Sequence, residues 1–307
     1  MSIRIGIGPC CWGVDDVKNP YLPDWKLVLK EAVEAGYKGI ELGPYGYLPL
    51  DIDIVKRELE INGLTVIAGT IFDDLVSQEN KDMLLKMTDD ICSLITKLPC
   101  DYKSQKQHFK TPYLTIMDFG HKERSFLAGH YNKAPRLSKQ KWYGMIENIR
   151  AISKLAWKKY GVRPVVHPHA GGYIEFEDEI KQMLNDIPYD IAGLCLDTGH
   201  LYYSGMDAVE WIRNNIDRLD YIHFKDIDKK IYDQMMNKKI DFFDACAKGV
   251  MCPIGKGIID YSSINRLLSK IDYQGWITIE QERDPRNSRT SLGDVSESFN
   301  YLKSVGY

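Results

Sequence analysis

One unit recurs along this chain: a short apolar run, a polar or glycine-containing turn, and then a stretch with helical periodicity. The runs that read as strands are IRIGIG (3–8), GIELG (39–43), LTVIAG (64–69), YLTIMD (113–118), PVVHPH (164–169), AGLCLD (192–197), YIHFKD (221–226) and WITIEQE (276–282), eight in all. Between them lie stretches such as DWKLVLKEAVEAG, where Leu27, Ala32 and Val33 are spaced for one face and Gly36 supplies a stop, and KQKWYGMIENIRAISKLAWKKYG. Strands apolar on both faces that alternate with amphipathic helices need a parallel sheet covered by helices. Eight such units favour an α/β fold closed into a (β/α)8 TIM barrel over an open doubly wound sheet. The first turn also lacks the G-x-G-x-x-G that would open a dinucleotide-binding fold. No Pro/Ser/Gly-rich linker divides the chain, so residues 1–307 read as one barrel domain. Longer insertions follow strand four (about 119–138) and strand seven (about 227–259).

Composition excludes several function classes. A formal net charge of -3 and a pI near 6.2 leave no basic field for nucleic acid. No apolar run approaches the roughly 20 residues of a membrane span, and MSIRIGIG alternates where a secretory signal would carry a charged start and an apolar core. The expectation is a cytoplasmic protein with no nucleic-acid or membrane partner. The seven cysteines (10, 11, 92, 100, 195, 246 and 252) are odd in number and contain no C-x-x-C pair, which argues against a disulfide framework and a thiolate zinc site.

In a barrel of this kind the C-terminal ends of the strands meet at one mouth, and residues two apart on a strand face the same way. Strand five ends in His167 and His169, strand six in Asp197 with His200 just beyond it, strand seven in His223 and Lys225, and strand eight in Glu280 and Glu282. Each i, i+2 pair points to one face, and four of the chain's seven histidines are in the set. Asp197, His223 and Glu280 offer oxygen, nitrogen and oxygen from three successive strands. That mixed set suits Mn2+, Zn2+, Co2+ or Fe2+ and leaves room for substrate oxygens. His167 is the candidate fourth ligand. His169 and Lys225 remain for proton transfer or for holding substrate oxygens. Trp12 and Glu41, at the ends of strands one and two, are candidates to floor the pocket and bind a hydroxyl, with core packing and helix capping as the alternatives. The tyrosines of GPYGYLP (43–49) are candidates to line the mouth, and HKER (121–124) either reaches over the site or is solvated.

The stretches LCLDTGHLYYSG (194–205), YIHFKDID (221–228), PIGKGIIDYSSI (253–264) and GWITIEQERDP (275–285) closely resemble the xylose isomerase-like barrel family, and within it the inosose dehydratases. HPHAGGYIEFEDEI (167–180) resembles the same group, as does IGIGPCCWGVDD (5–16) more weakly, and the barrel subunits of C-deglycosidases are also similar. The resemblance implies a divalent metal, Mn2+ foremost and Co2+, Zn2+, Fe2+ or Mg2+ as alternatives. It implies ligands at Asp197, His223 and Glu280, and a substrate-binding histidine at His200. Many relatives carry a glutamate ligand where this chain has His167.

The implied activity is that of a lyase acting on a keto-sugar or keto-cyclitol by α-proton abstraction and β-elimination. His169, Lys225 or Glu282 would serve as base, and His200 or Lys225 as the acid for the leaving group. The same opening step would serve a C-glycoside deglycosidase or a sugar epimerase or isomerase, and a non-catalytic sugar-binding barrel is the alternative outside enzymes. A metal-dependent abasic-site endonuclease would need more metal ligands and a positive surface. The expected assembly is a homo-oligomer, or a hetero-oligomer with a smaller subunit.

Overall fold

The computed structural model describes residues 3–101 and 108–307. Its strands are β1 (Arg4–Ile7), β2 (Gly39–Ile40), β3 in two pieces (Thr65–Val66 and Ala68–Asp73), β4 (Tyr113–Asp118), β5 (Arg163–Val166), β6 (Gly193–Asp197), β7 (Leu219–Phe224) and β8 (Trp276–Ile279). All neighbours in this sheet are parallel, and β1 pairs with both β2 and β8. The first piece of β3 pairs with β2 and the second with β4. Ile67, between the pieces, donates its amide to Ile40 O (2.9 Å) and accepts from Tyr113 N (2.9 Å), so the two pieces act as one strand that closes the ring. The fold is a single (β/α)8 barrel.

Strand parity divides the core in two. Val166, Leu194, Leu196, Ile222, Phe224, Ile277 and Ile279 belong to the large cluster that also holds the buried faces of the helices. The opposite parity points inward, where Ile67, Tyr113, Val165, Cys195, Tyr221 and Trp276 form a separate apolar plug. Two residues on from four members of that plug stand His167, Asp197, His223 and Thr278. The same alternation that buries Val165 therefore delivers His167, and then His169, into the barrel interior above the plug.

The helices begin where short polar side chains cap them. Asp24, Asp51, Ser138, Asp207 and Asp260 each accept a hydrogen bond from an amide of the following turn. In the helix Trp25–Glu34 the buried residues are Val28, Leu29 and Ala32, and Leu27 faces solvent at 45% exposure. The inward face is thus rotated by one residue from the expected one.

β3 runs to Asp73, four residues beyond the expected end at Gly69, because Thr70–Asp73 pair in register with Thr115–Asp118. The segment after β4 contains a short helix (Lys122–Phe126), and the segment after β7 contains two (Lys229–Lys238 and Phe242–Ala247) over an antiparallel pair, Asp226–Ile227 with Met251–Cys252. Buried Arg124 ties the first segment down, donating to Glu179 Oε1 (2.8 Å), Glu179 Oε2 (2.9 Å) and Glu175 Oε2 (3.2 Å). Ser125 Oγ donates to Asp241 Oδ2 (2.5 Å), which joins the two segments over the mouth. Among the described residues no helix is long and apolar enough to cross a membrane.

Candidate active site

His167, Asp197, His223 and Glu280 meet at the inner end of the mouth, with one ligand atom from each lying within 4.8 Å of every other. Register places them there: Asp197 pairs directly with His223 across β6 and β7, and His223 with Thr278, two residues before Glu280. Asp197 does two jobs. Its Oδ1 caps the helix Thr198–Tyr203 by accepting from His200 N (2.8 Å), while its Oδ2 is buried without a hydrogen-bond partner.

The other donors show the same pattern. His223 Nε2 lies 2.9 Å from Glu41 Oε1, and a carboxylate only accepts, so Nε2 donates there and Nδ1 is the ring nitrogen turned inward toward Glu280. Glu41 Oε1 is itself fixed by Tyr221 OH (2.6 Å). His223 Nδ1 stands 3.1 Å from Glu280 Oε2, and His167 Nε2 stands 3.7 Å from Asp197 Oδ2. Neither ring nitrogen of His167, nor His223 Nδ1, has a hydrogen-bond partner. A buried polar atom without a hydrogen bond costs about 1–3 kcal/mol, less where a neighbouring opposite charge offsets it, as Glu280 does for His223 Nδ1. Ligand atoms of two imidazoles and two carboxylates converging on one point are what a divalent ion satisfies once it displaces any ring proton, so the donor set fits one.

A second constellation adjoins the first. His169, His200 and Glu282 also bring ligand atoms within 4.8 Å of one another. Lys225 Nζ lies among them, 2.9 Å from His200 Nε2 and in contact with Glu282 Oε1. It also reaches Glu280 Oε2 (3.2 Å) and Asp197 Oδ2 (3.4 Å). Burial opposes the charge on Lys225, but Asp197, Glu282 and Glu280 outweigh it and hold the ammonium well above its ordinary range. Burial likewise opposes ionisation of Asp197, yet Lys225, His200 and His167 keep it well below the usual carboxylate value. His169 goes the other way: burial first, then its neighbours His200, His167 and Lys225, push it well below an ordinary histidine. Its Nδ1 lies 2.8 Å from Ala170 O, which can only accept, so Nδ1 carries the proton and Nε2 the lone pair.

His169, Glu41, Glu280 and Glu282 line an inner cavity of about 80 Å³. Asp15, Phe72, Phe243 and Glu282 are shared with a wider outer cavity of about 640 Å³, which Phe119 also lines. Phe72 stacks on Phe119 (4.4 Å between centroids) and lies 5.0 Å from His169. Thr70 and Phe72 lie beyond the expected strand 64–69 and reach the cavity because β3 continues to Asp73. Cys10 lines the inner cavity, whereas Cys11 is core.

Trp12 takes the core-packing alternative and not the pocket floor. It is fully buried in the helix-side core and its indole donates to Glu31 Oε2 (2.5 Å) on the helix Trp25–Glu34, so it floors neither cavity. The indole needs both an apolar wall and one acceptor, and the outer helix supplies them. Of the 43–49 turn, Gly43 and Pro44 reach the inner cavity but its tyrosines do not. In HKER, His121 pairs with Asp118 (2.9 Å) and Arg124 is the buried tie already described.

A family profile described as Xylose isomerase-like TIM barrel matches residues 29–305. The chain is 26% identical over 293 residues to inosose dehydratase from Clostridium perfringens (strain 13 / Type A), covering 92% of this chain and 91% of that enzyme. A Clostridium botulinum (strain Eklund 17B / Type B) inosose dehydratase is 27% identical over the same length and coverage. Among solved structures the fold is similar to the probable 3-DHS dehydratase AsbF from Bacillus anthracis, with a TM-score of 0.71 at 16% identity over 98% of this chain and 99% of that one. It is also similar to the 3-keto-D-glucoside 4-epimerase YcjR from E. coli, with a TM-score of 0.67 at 15% identity over 98% and 99%.

Proposed function

This chain belongs to the xylose isomerase-like TIM barrel family, and from that premise we propose that it is a divalent-metal-dependent lyase, which takes the α-proton from a keto-sugar or keto-cyclitol and expels a β-substituent. The observation that carries this reading is the convergence of buried ligand atoms of His167, Asp197 and His223, each without a hydrogen bond, on Glu280, beside a cavity lined by His169 with its Nε2 unprotonated. Relatives matched over nine-tenths of the chain bear the name inosose dehydratase, which supports loss of water from a cyclitol.

His167, Asp197, His223 and Glu280 would hold the ion, Mn2+ in the first instance, with Glu41 orienting His223. A divalent ion held there supplies Lewis-acid polarisation of a ketone, which acidifies the neighbouring C–H. His169 Nε2 then accepts the α-proton. Of the other candidate bases, Lys225 is held charged by three carboxylates, and Glu282 is committed to Lys225. Lys225 therefore serves to hold developing negative charge on a substrate oxygen, with His200 at its side. The imidazolium formed at His169 returns its proton to the departing group, so one side chain opens and completes the elimination. The purified protein, loaded with Mn2+ and incubated in D2O with scyllo-inosose or a 3-keto-glucoside, should exchange the α-hydrogen and release an eliminated product. Metal-loaded protein that does neither with any such ketone would defeat this reading.

The outer cavity favours a second reading, in which the expelled group is an aglycone. Phe72 and Phe243 line both cavities, and Phe119 lines only the outer one, beyond the reach of a ligand confined to the inner cavity. An aromatic aglycone would cover them. Phe119→Ala should then raise KM for an aryl 3-keto-glucoside and leave that for scyllo-inosose unchanged; equal effects on both speak for the cyclitol.

A further inference from the structure

Lys225 Nζ lies between two clusters of metal-ligating side chains. Asp197 Oδ2 and Glu280 Oε2 each face two ways: toward the ring nitrogens of His167 and His223 (3.7 and 3.1 Å), and toward Lys225 Nζ (3.4 and 3.2 Å). Carboxylates shared in this manner are the bridging groups of two-ion sites. On the far side of the bridge His169, His200 and Glu282 make a three-ligand set of the same compactness as the first. The ammonium is seated inside that set, against His200 Nε2 and Glu282 Oε1, and the 6%-exposed Glu282 still has its Oε2 buried and unpartnered.

The placement is built rather than incidental. Thr198 Oγ1 accepts from Lys225 N (2.9 Å) and donates to Lys225 O (3.0 Å), pinning the backbone on both sides. Gly199 makes room for the stem, since a Cβ there would stand 2.7 Å from Lys225 Cγ and 2.8 Å from its Cβ. The lysine itself is fully buried.

We propose that Lys225 is a resident cation occupying a latent second divalent-metal site formed by His169, His200 and Glu282, and that this side chain limits the protein to a single ion. The inference rests on reading His167, Asp197, His223 and Glu280 as ligands of that first ion. A covalently attached charge cannot dissociate, so the second electrophilic position of the cavity is filled at every metal concentration.

The test is metal stoichiometry, measured by elemental analysis after equilibration with Mn2+ or Co2+ and gel filtration. Wild type should retain about one ion per chain, Lys225→Ala about two, and Lys225→Met, which fills the space without charge, about one. Adding Glu282→Gln to Lys225→Ala should bring the count back to about one. The melting temperature of Lys225→Ala should rise with metal well beyond the concentration that saturates wild type, because a second bound ion stabilises by mass action. Two ions in wild type, or one in a folded Lys225→Ala, overturn the proposal and leave the first-site reading standing. No ion in wild type removes that first reading and this one with it. If Lys225→Ala and Lys225→Ser both stay unfolded in millimolar metal, an ion cannot replace the ammonium, and the proposal is likewise overturned.

Discussion

Replacing His169 with Asn removes one atom that matters and little else. The Asn amide can still donate to Ala170 O, as His169 Nδ1 does at 2.8 Å, but nothing takes the place of Nε2. The lost ring leaves space among Phe72 (5.0 Å), Phe242 (5.3 Å) and His200 (4.0 Å), none of which belongs to the four-ligand set. A positioned general base contributes roughly 10²–10⁴-fold, and at about 1.4 kcal/mol per tenfold the variant should lose about 3–5 kcal/mol of barrier lowering. The assay is α-hydrogen exchange in D2O, followed by NMR, on protein whose metal content is measured in parallel. Exchange and elimination should fall together, since the same imidazole serves both, while bound metal stays at the wild-type level.

The pH profile of the wild type adds a second check. The working form of His169 is unprotonated, and burial with its positive neighbours lowers its pKa. Activity should therefore hold through neutral pH and fall only on the acid side, well below the ordinary histidine value of about 6.5. Exchange in the variant within tenfold of wild type, or an acid limb at or above about pH 7, would refute the assignment.

Glu41→Ala strips the acceptor from both His223 Nε2 and Tyr221 OH, and metal affinity should drop about 10–100-fold in a chelator competition. Gly8→Ala meets no backbone penalty at φ -92, but its Cβ would sit 3.2 Å from Glu280 Cγ, 3.3 Å from Glu280 Oε1 and 3.1 Å from Cys10 Sγ. The displaced carboxylate should weaken metal binding by about tenfold with the melting temperature of the metal-free protein little changed. Glu175 carries a pH signature: burial, only partly countered by Arg124 and the amides of Gly129 and Gly171, pushes its carboxyl up to about 7. The folded chain thus keeps a proton that the unfolded chain sheds near 4.3. This contribution to stability is full below that value and is lost as pH rises through 7, to a total of about 4 kcal/mol at most. Denaturant melts should show this slope in wild type and lack it in Glu175→Gln.

Much of this could be read along the chain, because alternation within a strand and spacing within a helix are local properties. Val165, His167 and His169 announce one inward face by their parity alone, and the same rule picks Asp197, His223 and Lys225, and Glu280 with Glu282. The eight-unit barrel follows from the repeat. The structure departs from the local pattern where a partner outside the segment decides. Trp12 has the right position at a strand end, but the acceptor on Glu31 turns it to the helix layer. β3 extends to Asp73 because β4 pairs with it there, which no periodicity within 64–69 reveals.

Tertiary structure alone decided the chemistry of each atom. Glu41, 182 residues away from His223, determines which of its nitrogens is free, and Lys225 takes its place among carboxylates from β6 and the end of β8. Protonation and ligand geometry depend on distances of a few ångströms across strands. Those distances come from register and ring closure, which are properties of the assembled barrel and of no single segment.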